Sequence, residues 1–140
     1  MKYSSLILLG ALAWTWTAIG ADWPSWRGPN QDGTTPETKF PLTWSREKNV
    51  KWRTALPEEG NSSPIVWGDT VFLTQALVDG KERTVIAFDR TTGKKLWQNG
   101  VTYDQADPRH KTNPHCSASP VTDLSLIHIS EPTRLRRISY

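Results

Sequence analysis

The sequence predicts an all-β fold, a meander of short antiparallel strands, and three observations carry this prediction. An apolar run at residues 84–88 leads through a glycine-containing loop into a second strand, as in a β-hairpin. Turn residues separate the earlier apolar runs, at residues 68–69 and 79–81. Residues 117–121 repeat the Ser-Pro-apolar pattern of residues 62–65, so the meander begins again there.

Composition and charge exclude several classes of protein. The chain has 140 residues, the size of one domain. Its net charge of +3 comes from the two ends, and residues 21–123 are neutral. This neutral region gives no indication of a basic surface that would bind nucleic acid. Cys116 is the single cysteine, so no disulfide can form within the chain.

Residues 1–20 have the pattern of a secretory signal peptide. Lys2 precedes an apolar segment at residues 6–19, and residues 18–20 fit a small-x-small cleavage site before Ala21. A membrane anchor is the alternative, but the apolar segment is short for spanning a bilayer. No cysteine follows it as a site for lipid attachment. We expect a periplasmic or extracellular protein without stable membrane insertion.

Residues 21–49 are predicted to form an irregular lead-in, because proline and glycine are too frequent there for regular structure. We expect Trp23 and Trp26 to pin this segment. Arg27 and the neighbouring aromatic side chains either line a binding site or cover the face of the following sheet. The second of these two interpretations is preferred.

Residues 62–98 are predicted to form one four-stranded sheet, with strands at residues 63–67, 70–75, 83–88 and 95–98. Gly68 stands first in a two-residue turn, which is the position of glycine in a type II′ turn. The second and third strands are apolar on consecutive residues, which indicates a sheet covered on both faces. A second sheet of the same kind is expected to begin at residue 117.

The third turn of this sheet has the most specific motif in the chain. It reads Ala-x-Asp-x-x-Thr-Gly-x-x-x-Trp, formed by Ala87, Asp89, Thr92, Gly93 and Trp97. Glycine adopts positive φ without steric cost, and an aspartate carboxylate accepts N–H groups of its own loop. The motif resembles the tryptophan-docking motif of quinoprotein-type (PQQ-like) β-propellers. The resemblance implies that Trp97 packs flat between neighbouring blades and that Ala87 leaves room for it. An ordinary hairpin with a half-buried tryptophan is the alternative.

The resemblance implies a β-propeller fragment, in which residues 50–123 cover about one blade and the start of the next. Residues 22–33 are similar to the lead-in of quinone-repeat propeller proteins. Propeller rings commonly complete their last blade with an early strand, which removes free sheet edges. Residues 50–55, which include Trp52, alternate like a strand and are the candidate for this closing strand.

The connection at residues 101–116 is long, and it holds His110, His115 and Cys116. Histidine and cysteine are typical metal ligands. This set is too small and irregular for a closed zinc site, so no metal site is predicted. Cys116 is expected to be a small semi-buried residue, or to pair with a cysteine outside this chain.

Residues 124–140 do not continue the repeat. Leu124 stands where a counterpart of Gly68 is expected, and Pro132 would interrupt a strand. The sequence from Leu124 to Arg134 is similar to a translated sequencing-library adapter. We therefore expect residues 124–140 to be a non-native tail and the remainder to be a fragment of a longer protein.

The resemblance leaves three functions open. The preferred one is a non-catalytic binding scaffold, whose partners are the remaining blades and a protein or small ligand; this chain alone is expected to be inactive. The second is a dehydrogenase dependent on pyrroloquinoline quinone (PQQ), which needs Ca²⁺ ligands and aromatic stacking near the propeller axis. Asp69, Asp79 and Asp89 are interpreted as turn residues, so no catalytic or metal-binding residue is predicted, and PQQ with Ca²⁺ is considered only for the full-length parent. The third is a propeller like the outer-membrane assembly factor, a lipoprotein whose lipidated cysteine has no counterpart here.

Overall fold

The structure, a computed structural model, describes residues 20–106, 108–123 and 125–129, and it confirms the predicted all-β class. The described residues form two antiparallel sheets and no helix, so none of them belongs to a helix that could cross a membrane. The predicted signal peptide lies outside the described residues except for Gly20, and so do residues 130–140 of the predicted tail.

Four consecutive strands make the larger sheet, in the order β1-β2-β3-β4. They are β1 (Ile65–Trp67), β2 (Thr70–Leu77), β3 (Glu82–Asp89) and β4 (Lys95–Thr102). The smaller sheet pairs β5 (Pro120–Thr122) with β6 (Ile127–Ile129). The meander of one blade and the restart after residue 117 therefore appear in the order that the sequence predicts.

The turns of the larger sheet lie where glycine permits positive φ. Gly68 has φ +52° in the two-residue connection that joins Trp67 to its partner Thr70. The second turn has three successive residues with positive φ, Val78, Asp79 and Gly80. A β-branched residue such as Val78 rarely adopts this conformation, and the tight reversal imposes it here.

The core of the larger sheet is centred on β3, in which every residue from Thr84 to Phe88 is buried. Consecutive burial means that both faces of the strand are covered, as its unbroken apolar run predicted. On β2, the Thr74 hydroxyl donates to the Ala118 carbonyl and accepts a bond from the Cys116 thiol, 3.0 Å away. The segment before β5 thus covers part of this sheet.

Strand β4 is longer than the sequence predicts, and residues 50–55 are not a strand. The predicted fourth strand ends at residue 98, but β4 continues to Thr102, which pairs with Glu82 because β3 also extends that far. Residues 50–55 have no strand assignment. A strand needs a hydrogen-bonded backbone partner, and within the described residues none lies beside this segment. The side chains of Trp52 and Thr54 hold it instead.

The segment after β5 forms a turn although the glycine expected there is absent. The Asp123 carboxylate Oδ1 accepts hydrogen bonds from the amides of Ser125 and Leu126 at 3.2 and 3.0 Å, so aspartate replaces the expected glycine as the turn-forming residue. These bonds, that from Leu126 foremost, together with one from His128, hold the pKa of Asp123 below its ordinary value. Residues 125–129 of the predicted tail therefore belong to a hairpin with β5.

Candidate functional site

The docking turn, residues 89–94, joins β3 to β4 and is closed by its own aspartate. Asp89 Oδ1 accepts bonds from the Thr92 amide at 2.7 Å, the Thr92 hydroxyl at 2.8 Å and the Thr91 amide at 3.0 Å. The Asp89 carbonyl accepts from the Gly93 amide at 2.8 Å, and Gly93 has φ +71°. Aspartate supplies the acceptors and glycine the positive φ, so the turn needs both residue types.

Hydrogen bonding lowers the pKa of Asp89. The Thr92 hydroxyl is the largest cause and the Thr92 amide the next, while the Thr91 amide and the positive charge of Lys51 act in the same direction. Partial desolvation opposes them. These donors favour the charged carboxylate, so Asp89 remains deprotonated at a lower pH than a free aspartate does.

Trp52, from the segment before the sheet, docks on this turn. Its indole Nε1 donates to the Arg90 carbonyl at 2.9 Å. Its ring lies against Gly93 so closely that a Cβ there would be 2.5 Å from Trp52 Cδ2 and Cε3. The Thr54 hydroxyl donates to the Gly93 carbonyl at 2.7 Å. Gly93 thus serves two purposes, because it provides both the positive φ and the space for an indole.

Trp97, the tryptophan of the motif itself, lies eight residues after Asp89 on β4 in a different environment. It is register partner to the fully buried Ala87, and its ring contacts Phe72 at 5.9 Å between centroids with the planes inclined by 48°. It remains 42% exposed. The motif therefore has an indole-accepting side, which Trp52 fills, and an indole-presenting side at Trp97 that faces solvent. Trp97 is the tryptophan of the sequence motif, while the residue docked on this turn is Trp52.

Two side chains of the lead-in, Trp26 and Arg27, do not cover the sheet. The Arg27 guanidinium carbon lies 4.7 Å from the centroid of the Trp26 ring, and Trp26 is 61% exposed. Trp23, in contrast, lies at the edge of β1, where its backbone bonds to Val66. The preferred interpretation of these residues as covers is thus wrong for Trp26, whose ring faces solvent beside Arg27.

The histidines and the cysteine of the long connection lie in different environments. His110 is exposed and shares a hydrogen bond with the Thr112 hydroxyl at 2.7 Å. His115 lies against Gly80, and its carbonyl accepts a bond from Arg83. Cys116 is buried. Among the residues that the structure describes, no group of three histidine, cysteine, aspartate or glutamate side chains is placed to hold a metal ion.

A cleft of about 200 Å³ opens at the end of the sheet that lies opposite the docking turn. Charged groups of both signs line it, from Glu58, Glu59, Asp79 and Arg109. His115 forms part of its wall. Three carboxylates and one guanidinium give the lining an acidic excess, and no ligand is assigned to the cleft.

One comparison with known proteins gives a match. Residues 43–123, more than half of the chain, match the profile of a PQQ-like repeat family described as outer membrane protein assembly factor BamB. The matched region contains the larger sheet, the docking turn, Trp52 and β5. No curated protein and no solved structure shows a significant match to the chain.

Proposed function

Because the chain belongs to the PQQ-like β-propeller repeat family described as outer membrane protein assembly factor BamB, we propose that it is part of an exported propeller that acts as a binding scaffold without catalysing a reaction. Its partners are the remaining blades of the ring and a protein or small ligand bound by the assembled ring. The chain by itself is inactive, since a ring has several blades and one blade gives only part of any surface that they share.

The observation that carries the proposal is the docking of Trp52 on residues 89–94. Three residues of the motif, Asp89, Thr92 and Gly93, make contacts that stabilise the turn or receive the indole. Asp89 bonds its own loop, and Gly93 accommodates the Trp52 ring. A motif engaged in this way joins structural units. It supplies no group for chemistry, which favours a scaffold over an enzyme.

The aspartates of this region do not fit the ligand set of PQQ and Ca²⁺. Calcium needs several oxygen ligands, commonly carboxylates, around one point. Asp89 Oδ1 accepts three hydrogen bonds from its own turn, and Asp22 Oδ1 accepts one from the Gly68 amide at 2.8 Å. We therefore assign no cofactor to this chain.

Two observations support export. Residues 1–20 have a signal-peptide pattern, and the description of the family refers to the outer membrane. The outer-membrane assembly factor is a lipoprotein with a lipidated cysteine. In this chain the single cysteine is Cys116, which does not follow the apolar segment of the predicted signal peptide. A general exported scaffold therefore fits this chain better than that particular role.

A reconstitution experiment tests the scaffold against the dehydrogenase. The full-length propeller encoded by the intact gene is incubated with PQQ and CaCl₂, then assayed for dye-linked alcohol oxidation and for a shift in melting temperature, with a known quinoprotein dehydrogenase as positive control. We expect no dye reduction above the protein-free blank and no shift in melting temperature. Saturable dye reduction that requires both PQQ and Ca²⁺ would contradict the proposal.

The gene offers an independent test. Amplification of the genomic region downstream of the codon for Asp123 gives the sequence of the following repeats. The scaffold proposal predicts further Asp-x-x-Thr-Gly hairpins, each followed by a tryptophan. A clustered set of Asp, Glu and Asn ligands together with an adjacent cysteine pair would favour the dehydrogenase instead.

A further inference from the structure

The lead-in forms an isolated antiparallel bridge with the free edge of β1. The Trp23 amide donates to the Val66 carbonyl at 2.7 Å, and the Val66 amide donates to the Trp23 carbonyl at 2.9 Å. This reciprocal pair is the hydrogen-bonded unit of an antiparallel ladder. The outward-facing amide and carbonyl of Val66 are therefore hydrogen-bonded within the chain and are not available to pair with another chain.

The same few residues also bind the beginning of the second sheet. The Pro24 carbonyl accepts a bond from the Thr122 amide of β5 at 3.0 Å. Next to it, Asp22 Oδ1 accepts a bond from the Gly68 amide at 2.8 Å. Residues 22–24 therefore join the first strands of two successive repeats, β1 and β5, which also lie next to each other.

A compact turn holds the indole of Trp23 in place. The Ser25 hydroxyl donates to the Gly28 carbonyl at 2.8 Å, and the Gly28 amide donates to the Ser25 carbonyl at 2.9 Å. Gly28 has φ +74°, and a Cβ there would lie 2.7 Å from Trp23 Cη2. This turn closes on the ring of Trp23, so the paired segment is anchored by a side chain as well as by its backbone.

The position of this segment in a propeller follows from the order of the strands. Each blade is a sheet arranged radially about a central channel, so neighbouring sheets come closest at their inner strands. The two strands that the lead-in joins, β1 and β5, begin successive repeats. The segment bonded to both edges thus lies on the channel side of the ring.

We infer that residues 22–28 form an axial plug, a segment of the chain's own lead-in that closes the channel-side edges of the first two repeats. A free strand edge accepts extended peptides by backbone pairing, including a second copy of the same chain. The plug occupies this edge within the chain, and any extended peptide must displace it to bind there. This inference is independent of whether the assembled ring binds a partner elsewhere.

Amide hydrogen exchange on the whole chain tests the plug, with Gly28→Ala as the disrupting variant and Gly33→Ala as the matched control. Both glycines have positive φ, +74° and +78°, but only a Cβ at residue 28 meets the Trp23 ring, and a Cβ at residue 33 meets no atom within 4 Å. We expect Gly28→Ala to lower the protection of the Val66 and Thr122 amides at least tenfold. Gly33→Ala should leave that protection within about twofold of wild type.

A synthetic peptide with the sequence of residues 20–33, carrying a fluorescent label, gives a second measurement. It should bind the Gly28→Ala chain at least tenfold more tightly than the wild-type chain or Gly33→Ala, and restore the protection of Val66. The Ile86 amide in the centre of the sheet reports whether a variant still folds. If Gly28→Ala also exposes Ile86, Asp22→Ala replaces it, because that change removes the acceptor of the Gly68 amide.

Several outcomes would overturn the inference. The edge is not plugged if Val66 and Thr122 exchange freely in the wild-type chain, whether or not Ile86 is protected. It is not plugged by the described contacts if neither Gly28→Ala nor Asp22→Ala changes the protection of the amides at this edge. If protection rises with protein concentration, the occupant is the lead-in of a second copy, and the intramolecular plug is wrong.

Discussion

Asp89 and Gly93 show how two residues determine the form of the docking turn. The aspartate carboxylate accepts three hydrogen bonds from the residues two and three positions later, and glycine takes the one left-handed conformation in the loop. Asp123 gathers donors from the corresponding positions after it, although its turn has no glycine. An aspartate with hydrogen-bond donors two and three residues later is thus sufficient to reverse the chain here.

Replacement of Thr92 by valine should raise the pKa of Asp89. Thr92→Val removes the hydroxyl that contributes most to lowering that pKa, and it keeps the shape of the side chain. A carboxyl whose pKa is lowered by folding stabilises the protein above the pKa of the unfolded chain, about 4, and this contribution is lost as the pH falls through the folded-state pKa. In the variant, whose folded-state pKa lies closer to that of the unfolded chain, we expect the loss to be smaller and to be complete at a higher pH.

Carbon-13 NMR of the Asp89 carboxyl group during an acid titration measures this pKa directly. Thr91→Val is the control, because Thr91 contributes through its backbone amide, which the substitution retains. An unchanged titration midpoint in Thr92→Val, or an equal rise in both variants, would contradict the role given to the Thr92 hydroxyl.

At the scale of elements, the docking turn fastens residues 50–55 to the sheet without strand pairing. Trp52 supplies a ring and an N–H group, and Thr54 supplies a hydroxyl. The segment is therefore held by side chains on a turn, whereas the lead-in is held on β1 by backbone groups. These two modes of attachment respond differently to substitution.

Gly93→Ala should detach this segment, and Gly68→Ala is its matched control. Both residues have positive φ, so either alanine costs about 1–2 kcal/mol in backbone strain. A Cβ at residue 68 meets no atom within 4 Å, but one at residue 93 would overlap the Trp52 ring, which adds about 1–3 kcal/mol. Urea unfolding should give a larger loss of unfolding free energy for Gly93→Ala.

Tryptophan fluorescence separates the two variants further. Displacement of Trp52 into solvent should shift the emission of Gly93→Ala to longer wavelength, while Gly68→Ala should keep the wild-type spectrum. Equal losses of stability with identical spectra would show that the ring of Trp52 does not rest on Gly93 in solution.

The sequence was informative where the relevant contacts are local. The strand order, the turns at residues 68–69 and 79–81, and the consecutive burial of β3 follow from neighbouring residues, and the structure agrees with them. The pairing of Trp23 with Val66 joins residues far apart in the chain through backbone groups, which every residue possesses. No side-chain pattern indicates such a backbone bond. The sequence therefore predicts that the lead-in is irregular, but it does not predict that the lead-in pairs with β1.

The extra length of β4 escaped prediction for a related reason. Residues 99–102 have no apolar alternation, and all four are exposed. They are in a strand because β3 continues to Glu82 and offers a ladder of partners. The docking of Trp52 could not be predicted either, because its partner lies on a turn far along the chain.

At the scale of the whole molecule, the two sheets are joined mainly by the segment that leads into β5. Ser119 Oγ accepts a bond from the Ser63 amide at 2.9 Å, and the Ala118 carbonyl accepts one from Thr74. Strand β6 pairs with β5 at the other side of the small sheet. The larger sheet therefore depends on residues before 124 for these contacts.

Deletion of residues 124–140 should leave the larger sheet intact, as expected for a non-native tail. The chain ending at Asp123 keeps Ala118, Ser119 and β5, so the amides of β3 should retain their protection in hydrogen exchange within about twofold. Deletion of residues 117–140 is the comparison, because it also removes the bonds to Ser63 and Thr74. That deletion should lower the protection at least tenfold. A comparable loss in the shorter deletion would contradict the assignment of the tail.

The indole of Trp52 on Gly93 and the half-exposed indole of Trp97 make the two sides of the larger sheet different. Each unit has a receiving surface on one side and a projecting aromatic group on the other. Duplication of the coding segment for such a unit supplies both halves of every new junction at once. Arrays of different lengths can therefore arise by gene duplication without the evolution of any new interface.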